Sequence, residues 1–135
     1  MLRLFLDANV LFTAAHRPEG KAAYLWTAAA GRWQLLSSAY AVEEARRNVS
    51  LKFRDSLARL ESLAAAIELV PQAAAPALPL TLPAKDQPIW AAAHAARATH
   101  LLTGDLTDFG PHMNQPEAAG GVVIQTVAQF LAQIR

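Results

Sequence analysis

The chain has 135 residues, with 12 Lys plus Arg against 11 Asp plus Glu for a formal charge of +1, 53% hydrophobic residues, 17% charged residues and no Cys. That length suits one domain, residues 1–135, able to bury roughly two-thirds of its unfolded surface. The missing Cys excludes zinc fingers, iron–sulfur centres, disulfide scaffolds and thiol nucleophiles; the charge balance excludes a histone-like polycation, and the apolar content excludes disorder.

Residues 2–6 (LRLFL) are a short apolar run ending at a carboxylate, which predicts a buried first strand. No stretch suits a signal peptide or the roughly 20 apolar residues of a membrane span, so the expectation is a soluble cytoplasmic protein with no membrane partner. A helix is predicted from about Ala8 to Ala15, followed by a loop over His16–Gly20. Lys21 to Ala30 reads as a second helix stopped by Gly31 as a C-cap. Trp33 to Leu36 reads as a second strand. Ser37 and Ser38 are N-cap candidates for a helix over about Ala39–Asn48. From Ser50 a further helix is signalled by Phe53, Leu57, Leu60, Leu63, Ala64 and Ile67, spaced as one apolar stripe. Glu68 to Val70 is a candidate third strand, and 71–83 (PQAAAPALPLTLP), with four prolines and no charge, predicts a stiff extended connection inside the domain.

Asp86 opens an Ala-rich helix to about Ala98, with Pro88 in its first turn, where a missing N–H costs little. Residues 100–103 (HLLT) read as a fourth strand, 104–120 as a Gly-, Pro- and Asp-rich loop, Gly121–Gln125 as a fifth strand and Val127–Ile134 as a closing helix. Strands alternating with helices predict a largely parallel sheet covered on both faces.

Of five aspartates, Asp7, Asp86, Asp105 and Asp108 fall at element ends. Asp7 follows the first strand and Asp105 and Asp108 follow the fourth; Asp86 starts the helix leading into the fourth. If the first and fourth strands are neighbours, these acids converge on the crevice at the sheet edge where ligands of open α/β folds collect. The helix carrying Glu43 and Glu44 starts on the same edge, so one of the two can join them; adjacent helical positions lie about 100° apart, so both cannot face inward equally. The result is four or five carboxylates around one pocket with no nearby cation in sequence. At about 4 Å and an effective dielectric near 20, each like-charge pair costs about 4 kcal/mol in gross Coulomb terms, so something positive must offset them. Oxygen-only ligands select Mg²⁺ or Mn²⁺, and such ions serve phosphodiester hydrolysis by acidifying water and stabilising phosphoryl charge.

Leu4-Phe5-Leu6-Asp7-Ala8-Asn9-Val10-Leu11 resembles the opening of a PIN-domain nuclease, an apolar strand followed by Asp-x-Asn. Ser38-Ala39-Tyr40-Ala41-Val42-Glu43-Glu44 is similar to the segment in which that family follows a Ser with an acidic ligand six residues later, a register that selects Glu44 over Glu43. Asp86-Gln87-Pro88-Ile89-Trp90-Ala91-Ala92-Ala93 resembles the third acidic motif, and Leu102-Thr103-Gly104-Asp105-Leu106-Thr107-Asp108-Phe109 the fourth. Val122-Val123-Ile124 and then Phe130-Leu131 match the family's end, so the resemblance spans nearly the whole chain. Two features depart from it: the doubled Glu43-Glu44, and an Asp-x-x-Asp spacing where many relatives have Asp-x-Asp. The resemblance implies a PIN-like three-layer α/β/α sandwich with a five-stranded, mainly parallel sheet. It also implies a Mg²⁺- or Mn²⁺-dependent ribonuclease, often a homodimer, and in VapC-like members a toxin held by an antitoxin. On it, Asp7, Glu44, Asp86 and Asp105 are the expected catalytic and metal-holding residues, with Asp108 a further metal contact and Asn9 and Thr103 in support.

Each residue also has an ordinary structural reading. Asp7 and Asp86 suit helix caps, and Asp105 and Asp108 suit Asx turns. Trp26, Trp33 and Trp90 read as core. The four histidines are scattered, and His112 lies nearest the last acidic motif. Arg46, Arg47, Lys52, Arg54 and Arg59 concentrate charge near Glu44; an RNA-facing surface, carried above all by Arg46, Arg47, Lys52 and Arg54, competes there with a plain solvated face. The alternatives to a ribonuclease are a structure-specific DNA nuclease and a non-catalytic RNA-binding or interaction module whose acids are only caps.

Overall fold

The computed structural model describes residues 1–74 and 81–134. Five strands form one parallel sheet: β1 (Leu2–Leu6), β2 (Trp33–Ser37), β3 (Glu68–Leu69), β4 (His100–Leu102) and β5 (Val123–Gln125), in the spatial order β3-β2-β1-β4-β5. The central β1 pairs with β2 through Leu4 opposite Leu35 and with β4 through Phe5 opposite Leu101. Leu4, Phe5 and Leu6 are fully buried, as an apolar run in a two-sided parallel sheet must be. The helices are α1 (Ala8–His16), α2 (Lys21–Thr27), α3 (Ala39–Lys52), α4 (Leu57–Ala65), α5 (Gln87–Ala95) and α6 (Val127–Gln133).

The chain winds outward from β1 through β2 to β3, then crosses back to β4 and β5. Right-handed crossovers place helices on opposite faces when the winding direction reverses. Accordingly α1 packs against α2, α3 and α4, while α5 packs on β4, giving the three-layer α/β/α sandwich. The reversal falls between β1 and β4, so the crevice beside their carboxyl ends is the topological switch point. No helix among the described residues is long and apolar enough to cross a membrane.

Several boundaries differ from the sequence reading, among them the end of α5 at Ala95 rather than about Ala98. Gly31 does not cap α2, which stops at Thr27 with Ala28 as its C-cap. The chain then turns, with Arg32 and Trp33 N–H groups donating to the Ala29 carbonyl, and Gly31 supplies the φ of +71° within that turn. The Trp33 indole N–H donates to the Leu25 carbonyl, tying the start of β2 to α2. Asn48 and Ser50 do not end the third helix, because the buried face of Ala41, Val42 and Ala45 continues to a fully buried Val49. The break comes at Phe53, followed by a 3₁₀ turn over Arg54–Ser56. Leu60 and Leu63 of the expected stripe are buried, but Phe53 lies outside it and is 43% exposed. The fifth strand starts at Val123 rather than Gly121, because Gly120 and Gly121 both take positive φ and turn the chain first. Of the proline-rich connection 71–83, residues 75–80 lie outside the described residues.

Candidate metal centre

Because β1 and β4 are neighbours, the residues that follow them emerge side by side. The Asp7 backbone N–H donates to the Leu102 carbonyl at 3.0 Å, so the β ladder continues into the site. Asp7 caps α1: Oδ1 accepts from the Ala8 N–H at 2.7 Å. Its Oδ2 accepts from the Thr103 hydroxyl at 2.7 Å and from Asn9 Nδ2 at 3.3 Å. The fully buried Thr103 Oγ1 in turn accepts from the Asp105 backbone N–H at 3.0 Å, and Asn9 Oδ1 accepts from the Gly104 N–H at 2.7 Å. Asn9 and Thr103 therefore stitch the two strand ends together and fix the Asp7 carboxylate. The cap reading of Asp7 is correct but incomplete, since Oδ1 accepts a single hydrogen bond and keeps a lone pair.

Asp86 behaves differently. It stands at the N-cap of α5, yet its φ of −98° and ψ of −16° are not those of a capping residue and its side chain makes no cap hydrogen bond. The residue is 6% exposed, and Oδ2 has no hydrogen-bond partner. A buried carboxylate oxygen without a donor is costly unless a cation or proton meets it. Asp105 and Asp108 supply the neighbours: one carboxylate oxygen from each of Asp86, Asp105 and Asp108 lies within 4.8 Å of the others. Asp105 Oδ1 also accepts from the Asp108 backbone N–H at 3.0 Å, a local bond that reaches three residues on rather than the two of an Asx turn.

The electrostatics follow from this crowding. Burial pushes the Asp86 carboxyl up to about 7, helped by the proton it shares with Asp108 and by the charges of Asp105, Asp108 and Asp7. Asp108 is held below the usual carboxylate range by that same hydrogen bond, with Lys85 and Asp105 adding to it. Asp7 is raised by burial, opposed by its bonds to Thr103 and Ala8, and raised further by Glu44 and Asp105. Glu44, half-buried on α3, is close enough for its charge to act on Asp7 but is not among the three clustered carboxylates. The neighbouring Glu43 is exposed and pairs with Arg46, which also binds Glu61 at 2.6 Å.

The expectation that no cation lies nearby in sequence is corrected by Lys85, the residue before Asp86. Its Nζ sits 3.3 Å from Asp108 Oδ2, and its ammonium is raised by Asp108, Asp86 and Asp105. One exposed ammonium against the three clustered carboxylates of Asp86, Asp105 and Asp108 does not balance them. Among the other predicted residues, Arg46 is occupied by its two glutamates, Lys52 lies over the Phe12 ring, and Arg47 and Arg54 are exposed. His112 turns to the Thr81 carbonyl at 3.1 Å. Trp33 and Trp90 are buried core residues, and Trp26 packs against the core with its indole N–H donating to the Leu63 carbonyl.

A three-layer sandwich with a carboxylate cluster at its switch point defines a class of acid-rich α/β folds, and comparison with known proteins narrows it. The sequence profile of the PIN domain matches residues 3–107, most of the chain; the protein belongs to the PIN-domain family, a family of nucleases. The fold is also similar to that of VapBC2 from Rickettsia felis bound to a DNA fragment from its promoter. That similarity has a TM-score of 0.67 at 14% identity, covering 93% of this chain and 98% of the other. VapBC-1 from nontypeable Haemophilus influenzae is similar with a TM-score of 0.62 at 12% identity, covering 94% and 99%. FitAB bound to the IR36 DNA fragment gives 0.57 at 20% identity, covering 92% and 94%. No curated protein sequence matches the chain.

Proposed function

We propose that this PIN domain, residues 1–135, is a divalent-metal-dependent ribonuclease that hydrolyses RNA phosphodiester bonds internally. Asp7, Glu44, Asp86 and Asp105 would hold Mg²⁺ or Mn²⁺, with Asp108 adding a further oxygen. The observation that carries this reading is the buried, unpartnered Oδ2 of Asp86 beside Asp105 and Asp108. An all-oxygen donor set of this kind suits a hard cation. When bound, such a cation acidifies water and neutralises charge on phosphoryl oxygens.

The chain's own residues supply the positioning. Thr103, Asn9 and the Ala8 N–H hold Asp7 in one rotamer, so little reorganisation is left for the reaction. Lys85 holds Asp108 from the solvent side. Burial and the neighbouring acids favour the protonated form of Asp86, and a bound cation would reverse that preference.

VapBC and FitAB are toxin–antitoxin complexes, and their fold supports reading this chain as the toxin half of such a pair, in the cytoplasm. The antitoxin and a second copy of the chain are then its protein partners. Exposed Tyr24, Leu69 and Leu106 offer apolar surface for them.

The test uses purified Asp7→Asn and Asp105→Asn proteins with Mn²⁺ and with RNA, single-stranded DNA and flap DNA as substrates. Both variants should fold and lose RNA cleavage, whereas wild-type activity in both would remove the assignment. Faster cleavage of flap DNA than of RNA would favour a DNA nuclease, and absence of Mn²⁺ binding by titration calorimetry would favour a non-catalytic module.

A further inference from the structure

The carboxylate cluster repels a polyanion, so a nucleic-acid substrate must be held by charge placed elsewhere. Two of the described cations nearest in sequence are already engaged: Lys85 is paired with Asp108 and Arg46 with Glu43 and Glu61. A cleft of about 550 Å³ opens beside the cluster, walled by Asn9, Thr13, Arg17, Lys21, Thr103 and Gly104. It shares Asn9 and Thr103 with the site, since those two side chains hold Asp7. No acidic residue lines it. Arg17 and Lys21 are exposed, and among the described residues neither has a carboxylate within 4.0 Å.

The same helix carries a second feature. Asn9, Phe12, Thr13 and His16 of α1 are only half-buried, whereas Val10, Leu11, Ala14 and Ala15 are buried, so the first four make the outward stripe. Phe12 and His16 meet Phe53 of the α3 break, with centroid separations of 5.6 Å and 4.2 Å. The His16 and Phe53 rings lie at 30° to one another, and Lys52 Nζ sits 5.8 Å from the Phe12 centroid. A half-exposed aromatic cluster topped by an ammonium is costly to leave in water and has the chemistry of a base-stacking platform. From Asn9 to His16 the helix rises about 11 Å, so one stripe runs from the acids to the rings, with the Arg17 and Lys21 cleft opening along its Asn9 and Thr13 side.

On the ribonuclease reading above, we infer that the outward stripe of α1 is the track for a single-stranded stretch of the RNA. Arg17 and Lys21 bind its phosphates and the Phe12, His16 and Phe53 rings stack a base. Single strands are favoured because a base buried in a duplex cannot reach the rings.

Anisotropy with a labelled mixed-sequence oligoribonucleotide in EDTA tests the track without cleavage, comparing the single strand with its duplex across salt concentrations. The wild type should prefer the single strand. Arg17→Gln combined with Lys21→Gln should weaken binding about tenfold at low salt and reduce the salt slope by about 1.4, at about 0.7 per cation. Phe53→Ala should weaken single-strand binding about fivefold or more and leave the salt slope unchanged. Arg32→Gln, on an exposed cation over the Trp33 ring, serves as the control and should bind as the wild type does.

All four changes are at exposed positions, and thermal melts verify folding. Wild-type affinity in both test variants overturns the track, as does an equal preference for duplex. Unchanged RNA binding by Phe53→Ala together with altered self-association on size-exclusion chromatography would reassign the rings to a protein contact and overturn the stacking. Failure of the wild type to bind any single strand at low salt also overturns the track. Metal-dependent cleavage by the same preparation reports separately on the nuclease reading.

Discussion

Replacing Asp86 by Asn isolates the electrostatic cost of the carboxylate cluster. In the folded chain the Asp86 carboxyl is raised from 3.8 to about 7 by burial, the hydrogen bond with Asp108 and neighbouring negative charge. Between these two pH values the folded chain retains a proton that the unfolded chain has lost. Stability therefore falls as pH rises, and the loss is complete above the folded pKa. A shift of that size corresponds to about 4 kcal/mol, a ceiling because the proton is shared with Asp108. Asp7, also raised, contributes with the same sign, whereas depressed Asp108 gives stability that is lost only as pH falls through its folded value. Asn is close to isosteric with the protonated acid, and its amide can donate to Asp108 where that proton did. Urea unfolding in EDTA at about pH 5 and about pH 8 should show wild-type stability dropping by a few kcal/mol, while Asp86→Asn loses less and is the more stable protein at the higher pH. Added Mn²⁺ should restore the wild type by mass action, about 2.7 kcal/mol at a hundredfold excess over Kd, and help the variant less. A wild type equally stable at both values, with a variant no more stable above neutrality, would refute the reasoning.

The two adjacent glutamates give a sharper contrast: Glu44→Gln should cost at least tenfold in Mn²⁺-dependent RNA cleavage, whereas Glu43→Gln, which only releases Arg46, should leave the rate within about twofold. Thr103→Val removes the donor to Asp7 and the acceptor for the Asp105 N–H, so urea unfolding should report a loss of about 1–3 kcal/mol. Calorimetry on the same variant should report Mn²⁺ affinity reduced about 10- to 100-fold. Gly120→Ala places a Cβ 2.8 Å from His94 Cδ2 and 3.1 Å from Trp90 Cζ2 at a φ of +64°. It should lower stability by about 2 kcal/mol or more in denaturant titration, because Trp90 is fixed in the core.

The central strands were legible because their apolar runs are short and mostly buried: β1 is LRLFL, and β4 and β5 are bounded by turn residues. The helix boundaries were not. Asn48 and Ser50 are weak helix formers, yet α3 runs to Lys52 because Val49 extends the buried face, a tertiary effect that outweighs local propensity. Gly31 has the positive φ expected of a helix stop but spends it in the turn into β2, where the Trp33 bond to Leu25 sets the register. Phe53 sits at helical spacing from Leu57 and Leu60, so periodicity assigned it to the core. The break at its own backbone, with φ of −143° and ψ of 63°, instead turns it toward Phe12 and His16.

At the site, residue type and element ends were enough to nominate Asp7, Asp86 and Asp105, because a parallel sheet brings the ends of adjacent strands to one edge. What spacing alone left open was cap or ligand. Asp7 and Asp86 both stand before a helix, and both satisfy the same preference table. They part in their hydrogen bonds: Asp7 spends one oxygen on its helix and the other on Thr103 and Asn9, whereas Asp86 caps nothing and leaves Oδ2 buried and bare. A capping Asp is recovered by its donor, so a buried Asp at a helix start without that donor has no structural reason to be ionised there. The charge belongs to whatever replaces the proton, and Asp105 and Asp108 stand within 4.8 Å to hold it too. The missing bond, rather than the presence of the acid, separates a cation ligand from a helix cap.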